Sequence, residues 1–238
     1  MQDALETALS VIAGESIATT CAGRTDRGVH ACAQVVHFDT AAERPDSAWV
    51  RGVNAMLPEA IAVLWARRVE PEFHARYGAI SRTYRYVLLN RPVRPALAAR
   101  YAGWHHAPLD VGAMREAAAH LLGEHDFSAF RSAECQAKTP VRTLYALAIE
   151  RSGERIDFML RANAWLQHMV RNIVGTLVYV GKGKQPPVWM KQVLESRDRS
   201  LAATTFAPEG LYLEAVEYEA RWNLPSRGVS EPVLPVAL

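Results

Sequence analysis

Apolar positions recur along this chain with two different periods. Residues 3–13 place Leu5, Leu9 and Ile12 on one face of a helix. A second helix is predicted over 46–57, opened by Asp46 and stopped by Pro58. Further helices are predicted over 109–122, ended by Gly123, over 165–180 and over 187–197. Strands are predicted over 16–22, 31–40, 60–69, 80–90 and 211–219, the second rich in β-branched and aromatic residues. Segments 142–151 and 155–162 read as a hairpin around Ser152-Gly153. Irregular alternation with a hairpin predicts an α+β fold with a mostly antiparallel sheet. The organisation expected is an N-terminal half over 1–77, a C-terminal half over 78–224 and a tail over 225–238. The tail's three prolines and few anchors predict loose order.

Composition narrows the class. The chain has 238 residues, 50% apolar and 22% charged, which suits one large or two small soluble domains and excludes bulk disorder. No apolar run approaches the length of about 18 residues that would predict a membrane span. The start, MQDALETALS, is acidic and helical, unlike a signal peptide. Three cysteines (Cys21, Cys32, Cys135) without CxxC spacing predict neither a disulfide framework nor a structural zinc, and a reducing cytoplasm is the default location. His105, His106, His120 and His125 lack ligand spacing and read as surface histidines.

The net charge is only +2, but it is unevenly spread. All cations except Lys138, Lys182, Lys184 and Lys191 are arginine, which a codon bias would also produce. Eight arginines fall between Arg67 and Arg100 against Glu70 and Glu72. Such a stretch suits a phosphate-backbone partner, but on the sequence alone a solvated face is the favoured reading.

Three segments carry candidate chemistry. In GRTDRGVH (23–30), Asp26 stands in a loop between Arg24 and Arg27. Opposite charges nearby favour an ionised carboxylate, as a nucleophile requires, and loops on a rigid sheet commonly hold reacting groups. A plain turn aspartate is the alternative, though a plain turn needs no arginine pair. In the strand 80–90, Arg82, Tyr84 and Tyr86 share one face. That face either stacks bases and holds phosphates or makes ordinary cross-strand packing. In HMVRNIVG, Met169, Val170, Ile173, Val174, Leu177 and Val178 form a core-facing stripe. His168, Arg171, Asn172 and Gly175 form a second stripe, which faces a cleft or allows close helix packing at Gly175.

Together these segments resemble the tRNA pseudouridine synthase A family. The matching stretches are CAGRTDRGVHACAQVVHF, FHARYGAISRTYRYVLLN, LLGEHDFSAF, HMVRNIVGTL and EGLYLEAVEY. The resemblance runs from residue 2 to about Leu224. It implies the pseudouridine synthase fold, a mixed, mostly antiparallel sheet flanked by helices, with two similar halves around a central cleft. It also implies isomerisation of uridine to pseudouridine at positions 38, 39 and 40 of the tRNA anticodon stem-loop. A cytoplasmic homodimer is implied, with tRNA as partner, no DNA or membrane partner, and neither metal nor organic cofactor.

Residue by residue, the resemblance makes Asp26 the nucleophile and Arg171 its ion-pair partner. It makes Arg24 the residue that helps displace the target base and Tyr84 the residue that packs against it, with Arg82 and His168 in the substrate site. The chemistry suits these residue types. The bond from C1′ to N1 breaks, the uracil turns, and a C5–C1′ bond forms, with no net oxidation and no group lost. Whether the carboxylate attacks C1′, attacks C6 or takes a ribose proton is open at this point. Reaching the base requires extruding it from the stem.

The resemblance departs from the family at two places. Ala33 stands where the family commonly has Gly. The family also begins with a further stretch forming a first strand with a YDGxxFxGWQ-type motif, and this chain starts where the family's first helix begins. The expectation is that Met1 is an internal codon and the protein is longer. A truncated, inactive tRNA-binding module of the same fold is the alternative function. A hydrolase using Asp26 with a histidine has only the lone carboxylate motif behind it.

Overall fold

A computed structural model describes residues 1–225. The predicted order of the C-terminal tail concerns residues almost all outside that range. The chain forms two compact units. The first holds Met1–Arg24, Gln34–Ile80 and the stretch from Glu217, and the second holds Thr25–Ala33 and Ser81–Val216.

In the first unit, helix α1 (Gln2–Ala13) ends at Gly14, whose φ of 77° and N–H bond to the Ser10 carbonyl terminate the helix in the usual left-handed way. Its apolar face (Ala8, Leu9, Ala13) packs with Ile17, Trp49 and Val53. The predicted helix over 46–57 spans only 46–54 and widens to a π-turn at Ala48–Gly52. Trp49 and Val53, four residues apart, both turn inward.

Strands β1 (Thr20–Cys21) and β3 (Val36–His37) pair antiparallel. The strands predicted over 16–22 and 31–40 therefore shrink to two-residue ladders, with 31–40 divided between β3 and β2 (His30–Ala31) of the other unit. The Gln34 amide closes the loop stem, accepting from Gly23 N at 3.3 Å and donating to Gly23 O at 2.6 Å. The predicted strand over 60–69 is extended without a ladder. Here the Asn54 side chain takes the place of a neighbouring strand. It accepts from Val63 N (2.7 Å) and donates to Val63 O (2.8 Å), so those backbone groups are satisfied without sheet pairing.

The second unit is built on a mixed sheet, strand order β2-β9-β4-β8-β7-β6, with β5 paired to β4. Its members are β4 (Ala79–Asn90), β5 (Gly103–His105), β6 (Gly123–Asp126), β7 (Val141–Ser152), β8 (Arg155–Ala162) and β9 (Leu211–Tyr218), with β2. The β7–β8 hairpin turns at Gly153, whose φ is 60°. Helices α2 (Val111–Ala119), α3 (Met169–Gly181) and α4 (Trp189–Ser196) complete the unit. The helix predicted over 109–122 is shorter because Asp110 caps it, accepting from Ala113 N at 3.0 Å. Past its end, Gly123 turns the chain (φ 98°) into β6, a strand too short and polar to carry a period in the sequence.

Strand β4 is covered on both faces. Tyr84, Tyr86 and Leu88 join the main core with Met114, Leu121, Phe158, Ile173 and Leu177. Val87 and Leu89, one residue out of phase, pack with Ala98, Ala102 and Tyr212. The ordinary reading of 80–90, a half-exposed strand with aromatic cross-strand packing, is corrected in its exposure: only the start of the strand, at Ile80, is open.

Candidate active site

Asp26 lies in the loop from β1 to β2. Its carbonyl oxygen accepts from Val29 N (3.1 Å), which tightens the loop into a turn at Gly28. Gly28 has a φ of 85°, and a Cβ there would stand 3.0 Å from Pro208 Cγ. Both conformation and space therefore call for glycine. The Asp26 side chain is 34% exposed, and Arg24 and Arg27 on either side are exposed.

The Asp26 carboxylate meets two side chains from the start of α3. His168 Nε2 and Arg171 NH1 each lie 3.1 Å from the same oxygen, Oδ2. Arg171 NH1 donates a hydrogen bond to that oxygen, and His168 Nε2 stands beside it at ion-pair distance. A pair this open to solvent is worth no more than about 1 kcal/mol of stability. Its consequence is orientation of the carboxylate.

Arg171 is itself held. Its Nε donates to the Phe206 carbonyl oxygen at 2.8 Å, and Phe206 N donates back to Arg171 O at 3.2 Å. One guanidinium thus bridges a fixed backbone and Asp26. The next residue of the stripe, Asn172, is fully buried. It donates to Phe130 O (2.7 Å) and accepts from Thr205 Oγ1 (2.7 Å) and Arg199 NH2 (3.0 Å). Gly175 packs directly on the same segment. The polar stripe of α3 therefore divides: its first turn reaches Asp26, and its remainder packs closely against residues 204–206.

On β4, Tyr84 is 7% exposed and meets Trp165 edge-on, ring centroids 5.6 Å apart. Trp165 Nε1 donates to Arg82 O (3.1 Å), and Arg82 NH1 donates to Asn163 O (3.2 Å). Both residues thus brace the 163–165 segment that leads into His168. Arg85, on the opposite face, is buried against Glu214 at 3.4 Å.

Two supports escaped the sequence reading. The first is the segment 204–209, which has no hydrophobic period. It receives Arg171 and Gly175, backs Gly28, and accepts the Tyr86 hydroxyl proton at Ala207 O (2.7 Å). Burial raises Tyr86 above the ordinary tyrosine range, so it remains a donor. The second is His30, stacked on Tyr212 (4.7 Å) and Tyr101 (5.6 Å), with Nε2 2.9 Å from Arg100 O. It ties the end of the Asp26 loop to the 91–102 segment. Its only sequence signal is its place in the GVH motif.

The sequence model of the tRNA pseudouridine synthase family matches residues 1–78 and 117–219. The chain belongs to that family. It is 58% identical over 225 residues to the tRNA pseudouridine synthase A of Thiobacillus denitrificans and 56% identical over 225 residues to that of Methylobacillus flagellatus. In each case the match covers 94% of this chain and 86% of the relative. The corresponding enzyme of Burkholderia thailandensis is 59% identical, over 94% of this chain and 83% of the relative. The mixed α+β architecture accords with this family. Among the described residues no helix is long and apolar enough to cross a membrane, and no three His, Cys, Asp or Glu side chains gather as a metal site.

Proposed function

We propose that Asp26 is the reacting carboxylate of a tRNA uridine isomerase that forms pseudouridine at positions 38, 39 and 40 of the anticodon stem-loop. The observation that carries the reading is the convergence of His168 Nε2 and Arg171 NH1 on one oxygen of a carboxylate that is otherwise open to solvent. A charged, oriented and accessible carboxylate is what attack on a ribosyl–uracil unit requires.

The substrate base is extruded from the stem before it can react, at a cost of a few kcal/mol. Arg24, exposed on the loop, enters the space that the base leaves. Tyr84 packs against the extruded uracil, and Arg82 supports that wall of the site. With the base seated, Asp26 acts on the ribosyl–uracil unit and the bond from C1′ to N1 breaks. The uracil turns, C5 bonds to C1′, the C5 hydrogen leaves as a proton, and N1, freed from the ribose, takes up a proton. Arg171 orients the Asp26 carboxylate through its hydrogen bond. Atoms and electrons balance without an external oxidant or reductant. The enzyme works as a homodimer in the cytoplasm, where its tRNA substrate is found.

The test is tritium release from tRNA carrying 5-³H-uridine, using this chain and its Asp26→Asn variant. Asparagine keeps the size and one acceptor of Asp26 but not its charge. Release by the parent and none by the variant is the expected result, and equal release by both would refute the assignment of Asp26. Tight tRNA binding by the parent without release would favour the inactive binding module.

A further inference from the structure

His168 sits in an unusual backbone conformation for its place in the fold. Its φ of 63° and ψ of 2° are left-handed. The other non-glycine residues with positive φ among the described ones, Arg197 and Asn223, each follow the end of a helix, where that conformation is ordinary. His168 instead precedes α3. Residues there are normally extended and cap the helix with a side-chain oxygen. His168 makes no cap bond. Glycine would take this conformation freely, so the helix start gains nothing local from histidine. What the imidazole does make is the 3.1 Å contact to Asp26 Oδ2. Backbone strain of this kind gathers at sites where surrounding structure uses it.

The second contact changes what the first can do. With Arg171 alone, the carboxylate could swing about a single hydrogen bond. With His168 in contact as well, the carboxylate is held at Oδ2 from two points. We propose that His168 is a positioning residue that locks the Asp26 carboxylate in its reacting orientation. The proposal rests on Asp26 being the reacting carboxylate. In it His168 acts through Asp26, and the contact of His168 with substrate expected from the family resemblance is not needed.

The test compares His168→Gly and His168→Asn with the parent in steady-state tritium release and in thermal melting. Glycine relieves the backbone and removes the contact. Asparagine tolerates the left-handed conformation and restores a polar side chain beside Asp26. Removing a group that orients a reacting ligand typically costs about 10- to 100-fold. We expect kcat to fall by about that factor in His168→Gly, KM to stay within about twofold, Tm to rise, and His168→Asn to recover part of kcat. An unchanged kcat in His168→Gly would overturn the proposal. So would a raised KM at parental kcat, which marks direct substrate binding, or a fall of Tm in both variants, which marks a structural role. The Asp26→Asn variant separates the two readings. If it is inactive while His168→Gly is not, only the role of His168 fails; if it is active, both fail. A readout independent of turnover is the ¹⁵N spectrum of His168 at neutral pH. The ring nitrogen shifts, and with them the distribution of the ring proton, are expected to differ between the parent and Asp26→Ala. The same distribution in both proteins would count against the lock.

Discussion

Gly175 lies so close to Thr204 that a Cβ built on it would stand 2.2 Å from the Thr204 carbonyl oxygen. That obstacle is backbone and cannot rotate away. Gly175→Ala therefore pushes the 204–206 segment off α3, at a cost of about 1–3 kcal/mol. Because Phe206 O in that segment holds Arg171, turnover falls together with stability. Urea denaturation and tritium release on the same preparation check both, and a variant with parental stability would show that the segment yields freely.

Arg171→Lys keeps the charge and loses the fork. Arginine uses Nε for Phe206 O and NH1 for Asp26, whereas a single ammonium cannot hold both at those positions. A loss of 1–2 kcal/mol of orientation corresponds to about 5- to 30-fold in kcat, by the factor of ten per 1.4 kcal/mol. KM changes little. Single-turnover assays at saturating tRNA measure this directly, and parental turnover would mean that charge alone suffices.

Arg85 and Glu214 form a buried ion pair, 7% and 6% exposed. Removing Glu214 takes away the carboxylate that faces this buried guanidinium, so Glu214→Ala is expected to destabilise by about 3–5 kcal/mol. The double variant Arg85→Met/Glu214→Leu recovers most of that loss, because apolar packing of similar volume replaces the pair. Calorimetric melting of the three proteins decides. Since Arg85 is buried, loss of tRNA binding in an Arg85 variant reports unfolding before it reports a lost phosphate contact.

His37 makes stability fall in mild acid. Burial and then the neighbouring His74 hold its proton affinity below the ordinary histidine value. The neutral ring also accepts from Ala75 N at 3.2 Å through Nδ1, a bond that protonation removes. The unfolded chain therefore binds this proton more readily than the folded one. Stability present above about pH 6.5, the ordinary histidine value, is lost as pH falls through the lower folded value. His37→Gln flattens this part of a stability profile measured between pH 7.5 and 5. An unaltered slope would assign the acid sensitivity to other groups.

Much of the architecture was legible because it depends on local periods. Helices α1 and α3, strand β4 and the β7–β8 hairpin lie close to where apolar spacing and turn residues predict them. The loop carrying Asp26 and the two stripes of α3 were legible for the same reason. The strands predicted over 16–22, 31–40 and 60–69 were overestimated. Extended propensity is a property of a segment, whereas a ladder needs a partner, and Asn54 supplied Val63 with one that is not a strand.

The sequence by itself determined the family, the candidate carboxylate and the faces of the long elements. Each of these is written in residues near one another along the chain. Tertiary structure alone decided which oxygen of Asp26 is held, that His168 and Arg171 hold it together, and that residues 204–209 back the site. These contacts join residues 142 to 145 positions apart in sequence, or involve a segment with no periodic signal. No local pattern encodes such a distance; only the packing of α3 and the Asp26 loop on a common core brings it to 3.1 Å.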